Sequence, residues 1–108
     1  MSTRSLLGHE RPLVAYLFEL AGLPVDLDAL QAAPMDDGGM GSLEFVPLGR
    51  RFGSAAAECH FRDADGALVS AVLNLDPDGL PFEVDVWRFD YAPLVAWPDR
   101  ADLHAGAP

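Results

Sequence analysis

The chain has 108 residues, half of them hydrophobic, with a single cysteine and a net charge of −10. That length fits one domain able to bury a core without covalent staples, and the composition excludes a disordered acidic tail, an internal disulfide framework and a multi-cysteine zinc site. No apolar run reaches the length of a membrane span, and the start MSTRSLLGHERPL lacks the apolar stretch and cleavage site of a signal peptide, so a reducing, cytoplasmic setting is expected.

RPLVAYLFELAGLP (11–24) reads as the main helix. Pro12 suits its first turn, Leu13, Leu17, Leu20 and Ala21 share one face, and Val14 and Phe18 widen it. Gly22 and Pro24 then mark its end. Asp26 can cap a short helix to about Leu30. Residues 31–36 suit an edge strand, because Pro34 cannot donate to a ladder. Four alternating stretches follow: SLEFV (42–46), AAAECHFRD (55–63), ALVSAVLNL (67–75) and PFEVDVWRF (81–89). PLGRRFGS is a loop and YAPLVAWP an apolar closing segment. The expected fold is α+β, with one main N-terminal helix on a four- or five-stranded antiparallel meander. Residues 1–98 form a single domain and residues 99–108 a loose tail.

The turns set the register. A three-residue loop with Gly66 left-handed places Phe61 opposite Val69, Cys59 opposite Ala71 and Ala57 opposite Leu73. An even turn at DPDG, containing Gly79, places Leu75 opposite Phe82, Leu73 opposite Val84 and Ala71 opposite Val86. One face is then apolar throughout, and Phe61, Val69, Leu73, Val84 and Val86 should pack on Leu13, Leu17 and Leu20. The opposite face carries Trp87 beside Ser70 and His60, Asp85 beside Val72 and Glu58, Phe89 beside Leu68 and Arg62, and Glu83 beside Asn74.

The glycines of PMDDGGMGSLEF (34–45) invite a phosphate-loop reading, but the chain has no lysine for a Walker loop and no strand–loop–helix context for a dinucleotide loop. Gly38, Gly39 and Gly41 instead supply positive φ in a hairpin connection. DADG and DPDG resemble fragments of calcium loops without the distal glutamate, so no metal is expected. Glu83 and Asp85 share a strand face but have no predicted cleft, and Ser70 beside His60 sits mid-strand on a flat sheet. Cys59 points into the core. No catalytic residue and no cofactor are expected.

Asp36 to Phe45, with its D-x-G-M-G-S-L-x-F pattern, and Asp78 to Arg88, with D-G-x-x-F-E-V-D-V-W-R, resemble a family of small uncharacterised bacterial proteins in which the second stretch forms the last strand of a sheet. The resemblance covers about half the chain, counted by turn and strand motifs, and implies no established activity. Small acidic α+β proteins of this style are often immunity proteins for secreted toxins. The exclusive use of arginine among the seven basic residues also suits a GC-rich bacterial genome.

Charge is uneven. Residues 63–90 hold seven acids against Arg88, whereas residues 46–62 hold three arginines against Glu58. Such a molecule repels nucleic acid and anionic membrane and attracts basic partners. The expected function is a non-enzymatic protein-binding module, with an immunity protein against a basic toxin as its sharpest form. Glu83, Asp85 and Asp90 would supply charge, and Trp87 or Phe89 the anchor. Two alternatives stand beside it: a module binding a small ligand between the sheet and the closing segment, and a homodimer joined through the Trp87 face. Both assignments of Trp87 and Phe89 remain open at this point, exposed or covered by Leu94, Val95 and Trp97.

Overall fold

The computed structural model describes residues 2–108. Its elements are β1 (Arg4–Ser5), α1 (Arg11–Ala21), β2 (Gln31–Pro34), β3 (Leu43–Phe45), β4 (Ser54–Arg62), β5 (Leu68–Leu75), β6 (Pro81–Arg88) and β7 (His104–Ala105). Short 3-10 turns at Gly8–Glu10 and Arg100–Asp102 precede α1 and β7. All seven strands join one antiparallel sheet in the order β1-β2-β3-β6-β5-β4-β7. The fold is α+β.

The helix starts with proline in its first turn and stops at Gly22, whose φ of 68° lets Gly22 and Leu23 donate back to Glu19 and Phe18. Leu13, Val14, Tyr16, Leu17 and Phe18 are buried, and α1 packs on β4 and β5. Leu20, expected in the core, is exposed. The buried stripe runs through 13, 14, 17 and 18, so Leu20 lies at its margin, one residue before the helix ends.

β4, β5 and β6 form a meander with Phe61 opposite Val69, Cys59 opposite Ala71, Ala57 opposite Leu73 and Leu73 opposite Val84. A register shift between Asn74 and Leu75 sets Leu75 against Pro81 rather than Phe82. Phe61, Val69, Ala71, Leu73, Val84 and Val86 form the core face under the helix. Gly66 and Gly79 close the two turns at φ of 89° and 81°.

The expected four- or five-stranded meander is corrected in two ways. Two-residue strands at each end, β1 and β7, extend the sheet to seven strands, so β2 is interior rather than an edge. After β3 the chain also crosses the end of the sheet instead of turning back, and β3 pairs with β6. Arg50 holds this crossover. Its guanidinium donates to the carbonyls of Phe45, Val46, Pro47 and Pro81 and to the Asp76 carboxylate at 3.0 Å. The 99–108 segment, expected as a loose tail, instead buries Leu103 against the core and pairs β7 with β4 at Cys59 and His60.

Candidate partner-binding face

The helix covers one face of the sheet, and the other stays open. Alternation along β6 buries Phe82, Val84, Val86 and Arg88 and turns Glu83, Asp85 and Trp87 outward. Trp87 is 40% exposed and Phe89 54%. The closing segment does not cover them. Leu94 and Trp97 pack against the core beside the glycine loop, and the Leu94 amide donates to Gly39 O at 3.0 Å.

That loop joins β2 to β3, with Gly38, Gly39 and Gly41 at φ of 75°, 82° and 107°. The Asp37 carboxylate accepts from the Met40 and Ser42 amides and fixes its shape. A Cβ at Gly39 would meet Pro93, and one at Gly41 would meet Trp97 at 3.1 Å. The glycines therefore form the bed on which the closing segment lies.

Tyr91, which the alternation pattern does not single out, completes the aromatic cluster. Its φ of 60° reverses the chain after β6 and sets its ring edge-on to Trp87, with centroids 5.8 Å apart. Tyr91 is 69% exposed. The positive φ was not legible from the sequence, because the turn Arg88–Tyr91 carries no glycine.

Four carboxylates share this face. Glu44 lies directly opposite Glu83 across β3 and β6, and Glu58 and Asp85 flank Val72 in one row. Asn74 donates to Glu83 at 2.9 Å, the Gly49 amide donates to Glu44, and Ser42 Oγ lies 3.3 Å from Asp85. Among the described residues, none of the four is paired with an arginine.

Asp90 departs from the expected site. It belongs to a network around Arg88, which is buried at the hairpin end of the core face. The guanidinium donates to Asp63, Asp65 and Asp90 and leaves no N–H unused. Asp90 is held down at about 2, first by Arg88 and then by the Ala92 amide. Arg88 itself is raised further above its usual range, first by Asp90 and then by Asp65. Burial alone would raise Asp63, but the amides of Val95, Ala96 and Ala64, together with Arg88, bring it below its ordinary value. The network ties the closing segment to the β4–β5 hairpin. It makes Asp90 a structural group rather than a free charge.

Cys59 is fully buried, and burial, aided by the Glu58 charge, pushes its thiol up to about 12. His60 Nδ1 lies 2.9 Å from Gly106 O. Among the described residues, no group of three His, Cys, Asp or Glu side chains is placed to hold a metal, and no helix is long and apolar enough to cross a membrane.

Residues 3–98 match the model of a protein family described as a domain of unknown function (DUF6984). No curated protein and no solved structure matches the chain.

Proposed function

Because the chain belongs to the family described as a domain of unknown function (DUF6984), we propose its role from the open face: a non-enzymatic module that docks a basic protein partner. The observation that carries this reading is the Glu44–Glu83 pair on the same open face as the exposed Trp87, Phe89 and Tyr91. Like charges directly opposite each other on a sheet are destabilising. A basic segment laid across β3 and β6 would neutralise them, while the aromatic cluster would bury its rings. Neutralisation of a basic toxin by an immunity protein is the sharpest form of this function, and the cytoplasm is its expected place.

The test keeps shape and removes charge. A Glu83→Gln, Asp85→Asn variant retains the oxygen that accepts from Asn74, so its melting temperature should stay within a few degrees of the parent. At low salt it should capture less of the basic partner that the parent captures from the native cell, and the deficit should close as salt rises. Trp87→Ala should speed dissociation of the same complex. Equal capture by parent and charge variant across a salt series refutes the reading.

A further inference from the structure

The open face has a second character at its hairpin end. His60 and Arg62 are alternate residues of β4 and so share that face, about 7 Å apart by strand rise. β7 brings His104 directly opposite His60, and their rings stack with centroids 5.4 Å apart. His60, Arg62, His104, Leu68, Ala101 and Asp102 line a groove of about 620 Å³. Among the described residues, five of the seven arginines are paired with carboxylates, in a chain with 17 acids. Arg62 is not. Its one side-chain hydrogen bond among the described residues is from Nη1 to Gly66 O, at 3.0 Å. His60 uses Nδ1 on Gly106 O, and among the described residues its Nε2 has no hydrogen-bond partner.

We propose that this groove binds an oxyanion, a carboxylate or a phosphate, through Arg62, His60 and His104. The guanidinium supplies a planar fork of donors and the imidazoles supply N–H groups. The other charged groups around the groove are Glu58 on β4, Asp102 on the 3-10 turn and, beside Arg62, Asp65 and Asp90, both held by Arg88; Pro108 also lines the groove. Asp102 already accepts from the Asp99 amide, and β5 and β6 present only Ser70 and Trp87 in this row. This site is independent of the basic-partner reading.

The test is a titration of the intact protein with inorganic phosphate, and separately with acetate, against sodium chloride of equal ionic strength. The histidine ring and arginine Nε–H resonances are followed by NMR. Saturable shifts at His60, His104 and Arg62 that exceed those in chloride are expected with at least one of the two anions. The anion that binds identifies the ligand as a phosphate or a carboxylate. Arg62→Gln should weaken the binding about tenfold, whereas Arg51→Gln, which removes an equal charge in the crossover loop, should leave it unchanged. Shifts no larger than in chloride with both anions, or equal losses in the two arginine variants, overturn the proposal. The Glu83→Gln, Asp85→Asn variant should titrate like the parent, so failure of either reading leaves the other standing.

Discussion

At Gly53 the chain leaves the crossover and enters β4, with its amide donating to Leu75 O at 2.7 Å. A Cβ here would overlap the Asp76 carbonyl, which is backbone and cannot swing aside. Gly53→Ala should therefore lower stability by about 1–3 kcal/mol in denaturant unfolding. A change within about 0.5 kcal/mol would place the loop further from the turn than described. Nothing in PLGRRFGS announces this contact, because a close approach between distant backbones leaves no local pattern. Cys59 was legible, since its place in the alternation sends it to the core face. With its thiol pushed up to about 12, it should resist alkylation at pH 8 until the protein is unfolded.

Among the elements, the β4–β5–β6 meander was the most readable. Its strands are long, its turns carry glycine at fixed offsets, and a one-residue slip would mix polar and apolar faces. Leu73→Ala, at the centre of that core face, should cost about 2–5 kcal/mol by denaturant unfolding. The two-residue strands β1 and β7 were not readable, because two residues carry no period. β7 is held by pairing with β4 and by Leu103, which lies in the core cluster. Leu103→Ala should release it, with a loss of about 2 kcal/mol and faster hydrogen exchange at the Gly106 amide, which donates to Glu58 O. The β3–β6 pairing was equally hidden. It rests on Arg50 and on Ser42 Oγ, which accepts from the Val86 amide at 2.9 Å across the sheet. The open face itself was visible in the alternation of β6, but whether the closing segment covered it depended on the bed of glycines beneath Leu94 and Trp97.

For the whole molecule, the Arg88 network couples β6, the β4–β5 hairpin and the closing segment, and it makes stability depend on acid. Asp63, Asp65 and Asp90 are all lowered on folding. A lowered carboxylate contributes stability that is fully present above its unfolded value, near 4, and is lost as pH falls through the folded value. With Asp90 at about 2, the melting temperature should hold from pH 7 to about 5 and fall most steeply between about pH 4 and pH 2. Asp63→Asn keeps the shape and removes the one carboxylate that also accepts from Val95 and Ala96. It should lower the melting temperature by about 5 °C or more at pH 7 and flatten the acid limb. An unchanged acid limb would move the linkage to other carboxylates.

The crossover after β3 also orders assembly in time. Contacts within the meander join residues close in the chain, whereas β3 must meet a strand that follows it by two full hairpin legs. Closing that larger loop is entropically slower and gains little until β6 already lies flat against β5. The folding nucleus therefore belongs to β4, β5 and β6 with α1 laid across them, and β1, β2 and β3 add as a late flap. Substitutions in the meander core, such as Val69→Ala, should slow refolding. Those at Phe45 or Arg50 should chiefly speed unfolding.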